Sequence, residues 1–135
     1  MNFLNKKIFF TLFLTLFLLF LHVGAIKFGW YYIFYEFDMV PHFLGGLVIF
    51  LIIYNFSLVF KREIKIFNII WLVFLVTIFW EFFEIYLDNT FGVEYARTFD
   101  SISDICLGLS GAMIGAFFTA KIDKNIYNKV NDKQS

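Results

Sequence analysis

The stretch FNIIWLVFLVTIFWEFFEIYL, residues 67–87, decides the fold class of this chain. It is long enough to cross the hydrocarbon core of a bilayer, which takes roughly 20 residues of helix at about 1.5 Å per residue. Its only charged residues are Glu81 and Glu84, near one end. A carboxylate inside a membrane helix costs up to about 2.5–3.5 kcal/mol, so it normally faces a bundle interior or a water-filled cavity. The two glutamates therefore indicate a polar pocket within a membrane bundle.

The composition of the whole chain also indicates an integral membrane protein. Of its 135 residues, 61% are hydrophobic, 24% are aromatic and only 16% are charged, whereas a soluble domain of this length needs more polar surface. The net charge is zero, so nothing indicates a nucleic-acid partner. Cys106 is the single cysteine and lies in an apolar stretch. It excludes a disulfide framework and a thiolate metal cluster, and we expect it to be a small buried residue.

Four apolar stretches predict an all-α, four-helix transmembrane bundle. The predicted spans are 8–26, 43–60, 66–87 and 102–120, and a polar, cytoplasmic tail follows at 121–135. Pro41 fits the first turn of the second helix, where its missing amide hydrogen costs nothing. A short charged turn, Lys61–Lys65, joins the second and third helices. An alternative for residues 1–25 is a cleavable signal peptide, because a basic start and an apolar run precede small residues there.

The distribution of Lys and Arg predicts the orientation of this bundle. With both termini in the cytoplasm, nine of the eleven basic residues lie on the inner side, and only Lys27 and Arg97 lie outside. This arrangement satisfies the positive-inside rule. The segment FGWYYIFYEF, residues 28–37, is then predicted to lie in the outer headgroup region, where Trp and Tyr are favoured. We expect a multi-pass protein of the plasma or inner membrane with both termini inside.

Each predicted span carries one line of polar residues at a spacing of three or four, which puts them on one helix face. All four lines bring their ionisable groups to the outer end of the bundle. The members that matter most are His22; Asp38 and His42; Thr77, Glu81 and Glu84; and Asp100 with Asp104. Gly108, Gly111 and Gly115 continue the fourth line. These glycines are predicted to let the fourth helix approach its neighbours closely.

Clustered carboxylates at this depth can share protons, pair with Arg97 or bind a metal ion. Carboxylate and imidazole ligands together suit Zn, Mn or Mg. The predicted metal ligands are His42, Glu81, Glu84 and Asp104, with His22 as a further candidate. The predicted catalytic residues are Asp38, Glu81 and Asp100, and Arg97 is predicted to bind an anionic group of the substrate. As alternatives, Asp38 and Asp100 could cap their helices, and His22 could bond a helix-end carbonyl.

Three motifs carry a family resemblance over about residues 35 to 116. They are Asp38-Met39-Val40-Pro41-His42-Phe43, Trp80-Glu81 with Glu84, and Arg97-Thr98-Phe99-Asp100 followed by Asp104, Gly108, Gly111 and Gly115. In this order they resemble the VanZ-like membrane proteins and the related YjdF-like inner-membrane family. The resemblance implies a small helical bundle with functional positions at Asp38, His42, Glu81, Glu84, Arg97 and Asp104. VanZ-like proteins are associated with resistance to teicoplanin, so the resemblance implies an envelope role and no specific reaction. Gly108 stands where VanZ-like proteins often carry Asn, and Met39 where a Lys often follows the first Asp.

Two functions are expected from these residues. The first is a metal-dependent hydrolase or transferase that acts at the outer leaflet on a lipid or lipid-linked phosphate. The second is a non-catalytic envelope protein that binds a lipid intermediate or a glycopeptide-type ligand. Ion or proton passage is less favoured, because the inner halves of the spans offer only Thr11, Thr15, Asn55 and Thr77 to continue a path. A structural subunit with protonated carboxylates is the fourth interpretation.

Overall fold

A computed structural model describes residues 3–91 and 97–131 of the chain, and its elements are helical. The first long helix is α1 (Phe3–Phe28), followed by the single-turn helix α2 (Trp30–Ile33) and a 3-10 turn (Tyr35–Asp38). Three long helices complete the chain: α3 (Met39–Val59), α4 (Ile66–Phe91) and α5 (Arg97–Asn131). The four long helices supply segments long and apolar enough to cross a membrane, Leu4–Phe28, Glu36–Val59, Ile66–Tyr86 and Ser101–Asp123. The predicted all-α architecture with four spans is therefore confirmed.

The last helix is longer than the sequence analysis expected. α5 continues to Asn131, into the segment 121–135 that is predicted to be a polar tail. No Gly or Pro interrupts the chain between Gly115 and Asn131, so nothing in the backbone chemistry ends the helix sooner. Pro41 is the third residue of α3 and lies in its first turn, as predicted.

Two backbone positions in the left-handed region mark the sharp turns. Gly29 has φ 66° and separates α1 from α2, a conformation that glycine adopts without steric cost. Lys61 has φ 50° just after α3. The Arg62 amide donates to the Ser57 carbonyl at 2.9 Å, and the Lys61 amide donates to the Leu58 carbonyl at 3.3 Å. This pair of bonds is a Schellman motif, which ends α3 and opens the predicted turn into α4.

The most extensive contact in the bundle is between α3 and α5, and it depends on glycine. A Cβ atom added to Gly46 would lie 1.8 Å from the carbonyl oxygen of Gly108. One added to Gly111 would lie 2.0 Å from the carbonyl oxygen of Phe43. The two helix backbones therefore touch directly. The predicted close approach of the fourth span through its glycines is confirmed.

Below this contact the core is apolar. Phe50, Ile69, Val73 and Ala112 are fully buried, and Gly115 leaves room for the ring of Phe50. Large apolar side chains elsewhere on the long helices are exposed, as expected of surfaces that face lipid. Cys106 is also exposed, so its predicted burial is wrong. It lies two residues after Asp104, about 200° around the helix from that inward-facing residue.

Candidate metal centre

His42, in the first turn of α3, is surrounded by four carboxylates. Its Nε2 atom lies 3.5 Å from Asp38 Oδ2, 3.8 Å from Glu84 Oε2 and 3.8 Å from Asp104 Oδ2. Its Nδ1 atom lies 3.7 Å from Glu81 Oε1. We call these five residues the His42 cluster. Asp38 precedes α3, the two glutamates come from α4 and Asp104 comes from α5, so three helices converge on one imidazole.

The His42 cluster has a buried floor and an open rim. The side chains of His42, Glu81 and Asp104 are only 8%, 8% and 7% exposed. Those of Asp38 and Glu84 are 38% and 36% exposed. A small molecule or ion that enters the cluster therefore meets the two rim carboxylates first.

The local structure explains why these side chains meet. Asp38 and His42 are four residues apart and share one face at the start of α3. Asp38 occupies the N-cap position of α3, but its side chain makes no capping hydrogen bond with any described amide. Its carboxylate instead faces His42, so the alternative interpretation of Asp38 as a helix cap is wrong.

The glycine contact beneath the cluster brings α5 to α3. Gly46 lies one turn after His42, and Gly108 lies one turn after Asp104. Residues four apart share a helix face, so the contact of Gly46 with Gly108 sets the distance between the two side chains above it. This explains how Asp104 reaches His42 from a different helix.

Two overlapping sets of side chains have ligand atoms within 4.8 Å of one another. One is Asp38, His42 and Asp104, and the other is His42, Glu81 and Glu84. Ligands that share an ion through bonds of about 2.1 Å lie roughly 3 to 3.4 Å apart. Small side-chain rotations would bring either set to that spacing. One imidazole nitrogen with several carboxylate oxygens suits Zn, Mn or Mg.

Comparison with known proteins gives a family for this chain and no activity. Residues 4–125 match the model of a family described as predicted membrane protein (DUF2238). The chain belongs to this family. No curated protein and no solved structure matches the chain. The match to DUF2238 spans all five residues of the His42 cluster, and any function must be argued from the site itself.

His22 of this DUF2238 protein lies beside the His42 cluster and not in it. Its Nδ1 atom is 2.8 Å from the hydroxyl oxygen of Tyr31, and among the described side chains it is in neither set of close ligand atoms. Burial raises the pKa of Tyr31 to about 12, with further contributions from the negative charges of Asp38 and Glu84. The neutral phenol therefore stands between His22 and the rim of the cluster, and His22 does not join the other predicted ligands.

One neighbour of the cluster, Tyr31, was not recognised in the sequence. Tyr31 is hidden in an aromatic segment, where composition gives no signal for one functional ring.

The side chains of Arg97 and Asp100 lie outside the part of the chain that the structure describes. α5 begins at Arg97, seven residues before Asp104, which corresponds to about 10 Å along the helix axis. The substrate-binding role of Arg97 and the catalytic role of Asp100 stay predictions.

A second polar cluster lies at the other end of the bundle. Lys7 Nζ is 2.6 Å from Asp123 Oδ1, and the Tyr54 hydroxyl donates to the same carboxylate. One turn further into the bundle, Asn55 Nδ2 donates to Thr11 Oγ1 at 2.7 Å. We call these five residues the Lys7 cluster. It joins α1, α3 and α5, and the sequence analysis missed it because Asp123 was assigned to a polar tail.

Proposed function

We propose that this protein binds a divalent metal ion in the His42 cluster. We further propose that it uses the ion to hydrolyse or transfer a phosphate group of a lipid or lipid-linked substrate in the outer leaflet. One observation carries the proposal: four carboxylates lie 3.5–3.8 Å from the two ring nitrogens of one buried histidine. Imidazole and carboxylate groups are the usual ligands of zinc and manganese. The site would open toward the side of Asp38 and Glu84.

The charge of the cluster supports metal binding over the two other ways to stabilise it. A metal-binding imidazole is neutral, so the four ionised carboxylates of the cluster would then carry four net negative charges. A divalent ion would offset two of these charges, whereas the guanidinium of Arg97 would offset one. Protonation of the imidazole or of one carboxylate would offset one charge each.

The residues around the metal would divide the chemistry as follows. A bound divalent ion supplies an acidified water molecule and a clamp for phosphate oxygens. Asp38, at the rim, would accept a proton from the attacking water, with Asp100 as the second candidate base. Arg97 would bind an anionic oxygen of the substrate through its guanidinium. The floor residues would exclude bulk water from the reacting phosphate.

The resemblance to VanZ-like and YjdF-like proteins supports an envelope role at the outer leaflet. It also favours the competing function, a non-catalytic pocket for a glycopeptide-type ligand or a lipid intermediate. The exposed rim of Asp38 and Glu84 would attract a cationic or hydrogen-bonding ligand without any metal. The two functions differ in their dependence on metal.

Metal analysis of the purified protein tests the proposal. We expect about one zinc, manganese or magnesium ion per chain in the wild type and loss of that ion in His42→Ala. Glu63→Gln is the matched control, because Glu63 is an exposed carboxylate in the turn after α3. Absence of metal from the wild type after incubation with each ion in turn would contradict the proposal.

Phosphate release separates the catalytic from the binding function. Vesicles that contain phosphatidate or a polyprenyl diphosphate would lose phosphate in the presence of the wild-type protein, and a chelator or His42→Ala would stop the release. Ligand binding that persists after chelation, with no phosphate released, would favour the non-catalytic pocket.

Cysteine labelling tests the proposed orientation. In a Cys106→Ser background, Lys27→Cys is expected to react with a membrane-impermeant maleimide in intact cells, and Lys61→Cys is not. Both lysines are exposed, so a difference in labelling would report the side of the membrane. Labelling of Lys61→Cys alone would reverse the orientation and put the His42 cluster on the inner side.

A further inference from the structure

The two nitrogens of the His42 ring face different carboxylates. Nε2 faces Asp38, Glu84 and Asp104 at 3.5, 3.8 and 3.8 Å, whereas Nδ1 faces Glu81 at 3.7 Å. The nitrogens point away from each other across the ring, so a single ion binds one of them and not both. Three carboxylates converge on the Nε2 edge and one lies at the Nδ1 edge.

We infer that Glu81 is a positioning residue that orients His42 through Nδ1, and that the metal lies at Nε2, where Glu84 and Asp104 are its carboxylate ligands and Asp38 is the nearby base. This inference rests on the proposed metal site. A metal-bound histidine commonly donates its other ring N–H to a carboxylate, which fixes the tautomer and the ring orientation. Glu81 stands where that carboxylate is needed. The sequence prediction of Glu81 as a metal ligand is thereby replaced by a different role for the same residue.

The 3.7 Å between Nδ1 and Oε1 exceeds the upper limit of an N–H···O hydrogen bond, about 3.2 Å, by roughly 0.5 Å. A side-chain rotation that brings these two atoms closer would form the bond. The proton on Nδ1 then leaves the Nε2 lone pair free for the metal.

Burial separates Glu81 from the rim ligand Glu84, while the ligand Asp104 is as deep as Glu81, at 7% exposed. Glu81 and Glu84 are one turn apart on α4, yet Glu81 is 8% exposed and Glu84 is 36% exposed. A positioning carboxylate needs only to reach His42, whereas a site that receives substrate must open to the outside. The shallower Glu84 lies on the open side with Asp38, and the deeper Glu81 lies behind the ring.

Cobalt alone is the probe that distinguishes a ligand from a positioning residue. The visible absorption bands of bound Co²⁺ depend on the atoms that contact the ion, so they change when a ligand is replaced. Glu81→Gln keeps an oxygen that can accept from Nδ1. We expect it to preserve the band positions and intensities of the wild type while weakening Co²⁺ binding by about 10- to 100-fold. Glu84→Gln and Asp104→Asn are expected to change the bands, and Glu63→Gln is expected to change neither bands nor affinity.

Three other results would overturn the role of Glu81 or the metal site itself. If Glu81→Gln changes the bands as Asp104→Asn does, Glu81 is a ligand, and the metal site stands while the inference fails. If Glu81→Gln binds Co²⁺ with unchanged affinity, Glu81 does not orient His42. If the wild type binds no Co²⁺, the proposed metal site itself fails. If Glu81→Gln does not fold, Glu81→Asp replaces it, because aspartate keeps the carboxylate. Its Co²⁺ absorption bands are then compared with those of the wild type and of Asp104→Asn in the same way.

Discussion

Substitution of Gly46 by alanine is the sharpest test of how the fold builds the site. The added Cβ would lie 1.8 Å from the carbonyl oxygen of Gly108, whereas ordinary contact begins at 3.4 Å. The opposing atom is backbone, so no side-chain rotation relieves the clash. The two helices would have to separate by about 1.6 Å, the difference between these distances. Overpacking of this kind costs typically 1–3 kcal/mol.

The same separation would open the cluster one turn above. His42 Nε2 and Asp104 Oδ2 are 3.8 Å apart, and a shift of the helices would move them further from the roughly 3 to 3.4 Å that two ligands of one ion need. We therefore expect Gly46→Ala to unfold with a free energy about 1–3 kcal/mol below the wild type. We also expect Co²⁺ binding to weaken by tenfold or more.

Gly45→Ala is the matched control, because nothing lies within 4 Å of a Cβ at that position. Alanine favours helix over glycine by up to about 1 kcal/mol, so this variant should equal or exceed the wild type in stability. Unfolding in detergent micelles, followed by circular dichroism, measures both variants in one assay. Equal stability and equal Co²⁺ binding for Gly45→Ala and Gly46→Ala would refute the direct backbone contact of α3 with α5.

Three further predictions concern the Lys7 cluster and Tyr31. A double-mutant cycle with Lys7→Met and Asp123→Asn should give a coupling on the order of 1 kcal/mol in the unfolding free energy, and a coupling near zero would show that the pair is not formed. Thr11→Val should lower the free energy of unfolding by about 1–3 kcal/mol, because it leaves the buried Asn55 amide without its acceptor. Asn55→Leu should lower it by less, since Asn55 Oδ1 has no hydrogen-bond partner among the described residues. A larger loss for Asn55→Leu than for Thr11→Val would contradict this. The pKa of Tyr31 lies at about 12, above the ordinary 10.0, so its contribution to stability is complete below pH 10 and is lost as the pH rises to about 12. The difference in phenolate absorbance between the wild type and Tyr31→Phe, followed against pH, measures the pKa of Tyr31. A midpoint at pH 10 would contradict the prediction.

The four spans and the lines of polar residues that converge on His42 could be predicted because each rests on a local property. Glu81 and Asp104 lie inside apolar runs, where neither solvent nor a helix end can account for a carboxylate. Helical spacing then aligns them with other polar residues of their own helix. Whether Gly45 or Gly46 touches α5 could not be predicted, because that depends on how far α3 is rotated about its axis. Only the structure distinguishes these two adjacent glycines.

The contacts that the sequence analysis missed join residues far apart in the chain. Lys7 and Asp123 are 116 residues apart, and in the sequence each alone is typical of a solvated surface charge. Tyr31 bonds His22 across the break at Gly29, a position where the left-handed backbone turns the chain back on α1. Hydropathy and helical period describe one helix at a time, so they carry no information on such pairs.

The two polar clusters are separated by apolar packing, and this separation bears on function. Phe50, Ile69, Val73 and Ala112 lie between the clusters along the bundle and are fully buried. Ion and proton carriers usually need polar groups at mid-depth, whereas these four buried side chains are apolar. The Lys7 cluster joins α1 to α3 and α5 at one end of the bundle. At the other end of α1, His22 Nδ1 lies 2.8 Å from the Tyr31 hydroxyl, so polar contacts hold α1 at both of its ends.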